Sequence, residues 1–377
     1  MRTPVALLKF THRKARTAAA LSGVCFSILL MYMQLGFYDS CFRSSTMVFD
    51  QLDFDIALVS PQYVHVRFAG TIPRRRLAQA KAVPGVAGAV PFYVGGGTWR
   101  NPQTKVQLEI LVLGVDPMRQ PFRLPDLAAK VAKLKKRDTA IMDTTALEGY
   151  GAVQPGTVSE LENRRVEVVD TYAYGSGGFI SDAEIVVSDR TLSRLLDGYS
   201  LGEVSLGLVR VKPGSDPVAV ARDLRAALPA DVRVVRRPEL EAEEQHFFVR
   251  VKAIGIMFTC GVILAFAVGA VILYQIQATE IVNHLREYAL LKAIGYSRAY
   301  ISLLVLKQGA LLALLGFLPA TLLACGLYAL IRSVAHVPTV MTWPRVALVL
   351  VLSVSMCSLS GLLVSRKVGR ADPADLF

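Results

Sequence analysis

The chain has 377 residues, of which 53% are hydrophobic, and a formal net charge of +12. With a mean hydropathy of +0.42, this composition is typical of an integral membrane protein and excludes an ordinary soluble one. The positive charge does not indicate nucleic-acid binding. The basic residues of the short polar segments lie beside apolar runs, where anionic lipid headgroups explain them, and the sequence has no basic–aromatic recognition module.

Four apolar runs lack Asp, Glu, Lys and Arg, and each reaches or exceeds the roughly 20 residues that a helix needs to cross a bilayer core of about 30 Å. They are Thr17–Tyr38, Ala253–Ile276, Gly309–Ile331 and Val346–Ser365. The first run is long for a signal peptide, and the sequence MQLGFYDSCF after it has no small-x-small cleavage site. We therefore interpret it as an uncleaved transmembrane helix.

The orientation follows from the basic residues of the short flanks. Five lie before the first run and three in each of the segments after the second and fourth runs, whereas the short loop 332–345 has only Arg332 and Arg345. Both termini and the segment between the second and third runs are therefore predicted to be cytoplasmic. In chain order, the predicted segments are a cytoplasmic N-terminus (1–16), the first transmembrane helix (17–38), an outside domain (39–250), the second transmembrane helix (251–277), a cytoplasmic helix and turn (278–300), the third transmembrane helix (301–331), a short outside loop (332–345), the fourth transmembrane helix (346–365) and a cytoplasmic tail (366–377).

The outside domain is predicted to be mixed α/β, and its length suggests two lobes. Strand-like alternation or short buried runs occur in FDIALVS, VHVRF, LEILVLGV and AEIVVS, and a helix is predicted over 73–83. A β-α-β unit is predicted over 204–237, with Asp216 as N-cap and Pro217 in the first helical turn. The Gly-rich stretches VPFYVGGGTWRNP and YAYGSGGF are predicted to be loops, and neither matches the phosphate-binding GxxxxGK[ST] pattern.

The last part of the domain, PELEAEEQHFFVR over 238–250, is predicted to be an acidic helix. It has high helix propensity and contains no glycine. We expect it to continue without a break into the second transmembrane helix, as one rod that transmits a push.

The sequence does not predict a catalytic or metal centre. The five cysteines have no C-x-x-C spacing, the five histidines no H-E-x-x-H pattern, and there is no G-x-S-x-G motif. Lys307 lies inside the third apolar region, and we expect its side chain to reach the cytoplasmic headgroups. The chain is therefore predicted to be no enzyme, with no metal and no cofactor of its own.

The segment 275–300, QIQATEIVNHLREYALLKAIGYSRAY, is charged and amphipathic although it lies between two transmembrane runs. Ile281, Leu285 and Ala289 form an apolar stripe, and Gly295 is a helix stop signal. A simple connecting loop does not need this pattern, whereas a helix that a soluble partner binds does.

The arrangement of one N-terminal helix, a large outside domain and three further helices resembles the FtsX/MacB-type permeases of ABC systems. In that family, the loop after the second helix has an Arg-Glu pair, a downstream Gly and a basic residue, here Arg286-Glu287, Gly295 and Arg298. The C-terminal ADPADLF is similar to the family's tail. Residues 10–40, DIALVSPQ and HLREYALLKAIGYS, with Tyr288 and Tyr296, resemble the DevC-type branch. Many superfamily members have Glu near this position, whereas this chain has Lys307-Gln308. An ion-pair role for a carboxylate there therefore cannot be carried over from the family.

This resemblance implies a coupling helix that docks on an ABC ATPase (DevA-like), which holds ATP and Mg²⁺ on its own chain. The coupling residues would be Glu280, His284, Leu285, Arg286, Glu287, Tyr288, Leu291, Lys292, Gly295, Tyr296 and Arg298. It also implies a homodimer in the bacterial inner membrane, a periplasmic membrane-fusion adaptor (DevB-like), a TolC-like outer-membrane channel and a lipid or glycolipid cargo.

Three other functions have the same topology. An FtsX-like protein would use ATP coupling to activate a periplasmic cell-wall hydrolase. A membrane sensor would bind a ligand outside, but the tail after Ser365 has only twelve residues in which to hold an effector. A membrane-anchored enzyme acting outside would need the catalytic constellation that the sequence lacks.

Overall fold

The computed structural model describes residues 14–145, 148–174, 183–283, 294, 297–334 and 337–368. They form two compact units. The membrane unit comprises the residues up to Asp39, Ile256–Ile331 and those from Thr339 onward. The large domain comprises Ser40–Gly255 with Arg332–Pro338.

In chain order, the α-helices of the described residues are α1 (Lys14–Ser44), α2 (Met47–Asp50), α3 (Arg75–Lys81), α4 (Pro125–Lys130), α5 (Asp189–Leu195), α6 (Pro217–Ala227), α7 (Arg237–His246), α8 (Ile254–Asn283), α9 (Arg298–Val334) and α10 (Trp343–Val368). The strands are β1 (Ile56–Val59), β2 (Ile72–Pro73), β3 (Val86–Arg100), β4 (Gln107–Val115), β5 (Thr139–Asp143), β6 (Val158–Leu161), β7 (Arg164–Tyr172), β8 (Glu184–Ser188), β9 (Glu203–Val204), β10 (Leu206–Val211) and β11 (Arg233–Arg236). Short 3₁₀ helices occur at Val131–Lys135 and Glu148–Tyr150, and a π-helix at Phe247–Val251.

Within the described residues, four helices are long and apolar enough to cross a membrane, which confirms the predicted fold class. Their apolar spans are Leu21–Ser44, Ile254–Thr279, Leu306–Val334 and Trp343–Val364. Glycines let these helices approach closely. A Cβ on Gly269 of α8 would lie 2.8 Å from the Ser27 side chain of α1, and one on Gly316 of α9 would lie 2.8 Å from Val24. Small residues at such contacts are typical of membrane helix packing, where dispersion contacts drive association.

The large domain is built on one nine-stranded sheet with the order β11-β1-β10-β3-β4-β8-β5-β7-β6. An additional pairing of β3 with β6, at Trp99–Leu161 and Arg100–Glu160, closes six of these strands into a ring. Apolar clusters cover both faces. Ile185 and Val187 of β8 belong to one cluster, and Val186 between them to the other, as the alternation of side chains along a strand requires. The division into two lobes stays a prediction.

The predicted β-α-β unit is confirmed as β10, α6 and β11. The Asp216 carboxylate caps α6 by accepting the backbone N–H groups of Val218 and Ala219, at 2.9 and 3.3 Å. Both β10 and β11 pair antiparallel with β1, which lies between them. The predicted strands in FDIALVS, LEILVLGV and AEIVVS and the helix before Pro84 are confirmed as β1, β4, β8 and α3.

Two predictions in this domain are wrong. VPFYVGGGTWRNP is not a loop, because most of it lies in the 15-residue strand β3. Its glycines permit close packing rather than turns, since a Cβ on Gly95 would lie 2.7 Å from Leu196 and one on Gly97 2.9 Å from Val112. VHVRF is not a strand but a turn, with an isolated bridge between His65 and Phe68. The stretch 175–182 of the second Gly-rich segment lies outside the described residues.

Candidate functional site

The predicted coupling segment lies at the junction of α8 and α9. Glu280 is in the last turn of α8, and Arg298 is the first residue of α9. The other predicted coupling residues lie outside the described residues: His284, Leu285, Arg286, Glu287, Tyr288, Leu291, Lys292, Gly295 and Tyr296. Their roles stay predictions.

Lys307 is on α9, nine residues after its start, and its side chain is exposed. From this position its long side chain can extend toward headgroups. Its neighbour Gln308 is half-buried, and Gly309 is buried against the Cys357 backbone of α10.

Close to the same level of the bundle, Gln277 of α8 is buried at 9% exposure. Neither its amide oxygen nor its amide nitrogen has a hydrogen-bond partner in the described part of the chain. A Cβ on Gly309 would lie 2.9 Å from its nitrogen, so the glycine leaves the space that Gln277 occupies. An unpaired buried amide is costly. Sequence analysis missed this residue.

A buried polar cluster, here called the outer cluster, joins three of the four membrane helices. Its members are Tyr32 and Asp39 of α1, Thr321 and Tyr328 of α9, and Arg345 of α10. The Arg345 guanidinium donates to the Asp39 carboxylate at 2.7 Å and to the Val340 carbonyl at 2.8 Å. It also lies over the Tyr328 ring, 5.5 Å from the centroid. The cluster therefore fixes the end of α1 that leads into the large domain.

Hydrogen bonds of the two tyrosines extend the cluster along α1 and α9. The Tyr328 hydroxyl donates to the Tyr32 carbonyl, and the Tyr32 hydroxyl lies 3.1 Å from the Thr321 hydroxyl. In the sequence, Arg345 is informative only as one of the two basic residues of the short loop 332–345, which bear on the membrane orientation. The signal that could have found the pair was the topology itself, which puts Asp39 and Arg345 at the same membrane edge with opposite charges.

Where the chain enters the large domain, a buried carboxyl group holds the segment after α2. Glu184 of β8 accepts hydrogen bonds from the Tyr172 hydroxyl of β7 and, at 3.1 Å, from the Gln51 amide. Burial is the largest influence and raises the pKa of Glu184 to about 7, although both hydrogen bonds act against the rise. We call Gln51, Tyr172 and Glu184 the entry cluster.

Where the chain leaves the large domain, the prediction of one uninterrupted helical rod is wrong. Helix α7 ends at His246, the π-helix Phe247–Val251 follows, and Ala253 has a left-handed φ of 54°. Helix α8 starts only at Ile254. A positive φ is unfavourable for a residue with a Cβ, and single π turns occur mostly at functional sites. We call residues 247–253 the exit joint.

Within the described residues, no group of three or more His, Cys, Asp or Glu side chains is arranged to hold a metal ion. The geometry that the structure adds to the sequence consists of buried polar contacts within the membrane unit and within the large domain.

Two family models match this chain. The model of the MacB-like periplasmic core domain matches residues 17–227, which is more than half of the chain, and the model of the FtsX-like permease C-terminal region matches residues 259–373. The chain belongs to the FtsX- and MacB-like permease family. It is thus a multi-pass membrane protein of a family whose permeases work with ABC ATPases. The resemblance drawn from the sequence is confirmed at this level.

Solved structures similar to this FtsX- and MacB-like chain match parts of it. The extracellular domain of the noncanonic ABC-type transporter YknZ from Gram-positive bacteria is 12% identical, with a TM-score of 0.34, covering 48% of this chain and 100% of that chain. The periplasmic region of MacB from Actinobacillus actinomycetemcomitans is 8% identical, with a TM-score of 0.37, covering 52% of this chain and 94% of that chain. A permease domain from Porphyromonas gingivalis is 13% identical, with a TM-score of 0.30, covering 50% of this chain and 88% of that chain.

Scores this low carry no argument about fold or function, and the family assignment depends on the two family models alone. Comparison with curated proteins finds no relative.

Proposed function

We propose that this chain is the membrane-spanning permease subunit of a DevC-type tripartite ABC exporter. It would couple ATP hydrolysis on a separate ATPase chain to the export of a lipid, glycolipid or other hydrophobic cargo. One observation carries the proposal: the two family models match in chain order across the four membrane helices. The FtsX-like match includes the charged segment between α8 and α9.

The segment 284–297 is the proposed docking helix for the ATPase. Arg286 and Glu287 supply opposite charges for charge-assisted hydrogen bonds to a groove of the partner. ATP and Mg²⁺ are held by that partner. The basic residues before α1 and beside α8, α9 and α10 support a cytoplasmic location for this segment and for both termini, in the bacterial inner membrane.

The large domain then faces the periplasm, where it would meet a membrane-fusion adaptor that leads to a TolC-like outer-membrane channel. The permease would act as a homodimer with one ATPase per copy. The exposed residues of α8 include Ile263, Leu264 and Val268, and such an apolar surface supports cargo entry from the outer leaflet or the periplasm rather than through a hydrophilic channel.

The connections to the large domain suggest how motion is transmitted. Helix α1 runs without interruption from Lys14 to Ser44, and the outer cluster ties it to α9 and α10 through Arg345. The other connection passes through the exit joint, which is not one rod. We propose that α1 transmits displacement as a rigid element with two positions, while the exit joint accommodates it.

Charge reversal tests the proposal. The variant R286E/E287R should still insert, and it should lose co-purification with the ATPase and stimulation of its turnover. Candidate ABC ATPases are co-expressed, beginning with any encoded beside this chain. The matched control is R222E/D223R, which reverses an adjacent exposed pair on α6 of the large domain, 3.5 Å apart, and should leave both readouts unchanged. If R286E/E287R also leaves both unchanged, the docking assignment is wrong.

The match to the FtsX-like C-terminal model also favours a second function, in which the same ATP coupling activates a periplasmic cell-wall hydrolase. The two functions differ in the periplasmic partner. Co-purification of an adaptor and retention of cargo in a deletion strain support export. A cell-separation defect without retained cargo supports hydrolase activation.

A further inference from the structure

The loop 60–68 meets the end of α7 and the start of the exit joint in a buried cluster. Its members, which we call the exit cluster, are Tyr63, His65, Glu244, Phe247 and Phe248. The Tyr63 hydroxyl donates to one oxygen of the fully buried Glu244 carboxyl group. The His65 ring stacks on Phe247, with centroids 4.3 Å apart, and meets Phe248 edge-on at 5.6 Å. The loop is thereby attached to the start of the exit joint.

The second oxygen of Glu244 is buried, and no side chain of the described residues donates a hydrogen bond to it. Within the described residues, no Lys or Arg side chain forms an ion pair with it. The nearest acidic neighbour, Glu243, is already held by the Arg233 guanidinium through two contacts of 3.1 and 2.7 Å. A buried carboxylate with no cation beside it is costly, whereas a neutral carboxylic acid in the same place costs much less. The geometry therefore fits a protonated Glu244.

The other charged groups around this cluster act on its members in known directions. Burial is the largest influence and raises the pKa of Glu244 to about 8, and repulsion from Glu243 acts in the same direction. The hydrogen bonds of the Tyr63 hydroxyl and the Val66 backbone act against this rise. Burial and the nearby Lys252 and Arg67 lower the pKa of His65 to about 4. Burial raises the pKa of Tyr63 well above its usual value, while Arg233, 6.0 Å from its ring centroid, acts in the opposite direction. Between pH 6 and 9, Glu244 is therefore the member of the cluster that titrates.

We propose that the exit cluster is a pH-sensitive switch in the large domain, in which protonated Glu244 holds loop 60–68 on the end of α7 and loss of its proton releases the loop. This goes beyond the proposed function, since it does not depend on an ATPase, an adaptor or a cargo. The proton passes to solvent when Glu244 ionises. The ionised carboxylate gains hydration only when the loop opens, so opening and ionisation favour each other.

Amide hydrogen exchange of the full chain in lipid nanodiscs at pH 6 and pH 9 tests the switch, with rates corrected for intrinsic exchange. The loop has suitable reporters, because the Val64 N–H donates to the Phe68 carbonyl at 3.2 Å and the Phe68 N–H to the His65 carbonyl at 2.8 Å. In the wild-type chain, we expect protection of 60–68 and 244–251 to fall by about 10- to 100-fold between these pH values.

Glu244→Gln keeps the shape and the acceptor for Tyr63 but cannot ionise, so protection of the loop should be high at both pH values. Tyr63→Phe removes the donor, and protection should already be reduced at pH 6. Glu184→Gln is the matched control, because it removes another buried carboxyl group that accepts from a tyrosine in the same domain. It should leave the pH response of 60–68 unchanged.

Two results would overturn the switch: equal protection of 60–68 in the wild-type chain at both pH values, or a pH response in Glu244→Gln as large as in the wild type. Both results are measured by hydrogen exchange and do not depend on transport. A failure of the ATPase-coupling experiment therefore leaves the test of the switch intact.

Discussion

The chain joins the membrane helices to the large domain in two different ways. At the entry, α1 is a single helix of 31 residues that ends at Ser44. At the exit, α7 stops at His246, and a π-helix and the left-handed Ala253 precede α8. The exit sequence FFVRV consists of aromatic and β-branched residues around one arginine, which lower helix propensity. The contacts of Phe247 and Phe248 with His65 then determine the local geometry.

Helix propensity alone therefore does not identify which of the two connections is rigid. The acidic helix α7 has strong helix formers, yet the interruption follows it. Helix α1 contains Gly23 and Gly36, yet it continues unbroken because its neighbours pack against it. Rigid transmission is therefore expected through the entry and adjustment at the exit.

The largest expected effect comes from loosening the end of α1. Arg345→Met should destabilise the chain by about 3–5 kcal/mol, because it removes two hydrogen bonds of a buried guanidinium, to the Asp39 carboxylate and the Val340 carbonyl, and hydrogen bonds of charged groups contribute roughly 1.5–3 kcal/mol each. Arg345 is only 6% exposed and Asp39 30%. Denaturation in detergent measures the free energy of unfolding. The exposed Arg332 is the control, and Arg332→Met should have little effect. The two substitutions D39N and R345M should cost less together than the sum of their separate costs, and strictly additive costs would contradict the pairing.

The second prediction concerns the buried carboxyl group at the entry, where the chain passes from α1 into the large domain. Glu184 of the entry cluster has a pKa raised from 4.5 to about 7 by burial. The folded chain thus binds this proton more tightly than the unfolded chain. Its contribution, about 3 kcal/mol at most, is fully present below pH 4.5 and lost as pH rises through 7. Denaturation at pH 5 and pH 8 should show this loss in the wild type, and a reduced loss in Glu184→Gln. An identical loss in both chains would remove Glu184 from the explanation.

A pair of insertions separates the two connections directly. Two glycines inserted after Phe42 in α1 should cost about 2 kcal/mol relative to two alanines and uncouple ATP hydrolysis from export. The same two glycines inserted after Val251, in the exit joint, should cost less and leave coupling largely intact, because no regular helix is interrupted there. ATPase stimulation and export are measured together. Equal uncoupling by both insertions would mean that the exit carries force as well.

The smallest effect concerns Ala253. Ala253→Gly should leave stability unchanged or slightly higher, since glycine adopts a φ of 54° without strain. Ala253→Val should lower it by about 1 kcal/mol, because a β-branched side chain is strained at this φ. Thermal unfolding ranks the three chains. A valine variant as stable as the glycine variant would show that the exit joint readily adopts another backbone conformation.

Much of the fold was predictable because the signals are local. The four membrane helices follow from apolar runs longer than a bilayer core, and β4 and β8 follow from short buried runs. Strand β3 was missed because three consecutive glycines are typical of a loop. Two of them, Gly95 and Gly97, are required by Leu196 and Val112, which approach the strand from elsewhere in the chain. VHVRF was misjudged because its alternation does not match burial: Val64 and Phe68 are exposed, and His65 is buried.

The candidate site, like the fold, was predictable from the sequence only where its signals are local. The segment around Arg286 and Glu287 is predicted from its charge pattern between two apolar runs, and it stays a prediction because it lies outside the described residues. The buried pairs were not predictable, because Tyr63 and Glu244 are 181 positions apart, and Asp39 and Arg345 are 306 apart. Only the fold brings such partners together.

The most direct test of the central claim is hydrogen exchange of the large domain in complex with its ATPase, with and without a non-hydrolysable ATP analogue. The claim is that the segment 284–297 couples the ATPase to the large domain through the membrane helices. It predicts that nucleotide changes protection in residues 40–52 and in the exit joint of the wild-type chain, and that R286E/E287R abolishes this change. Protection that is independent of nucleotide in the wild type, or a full response in R286E/E287R, would contradict it.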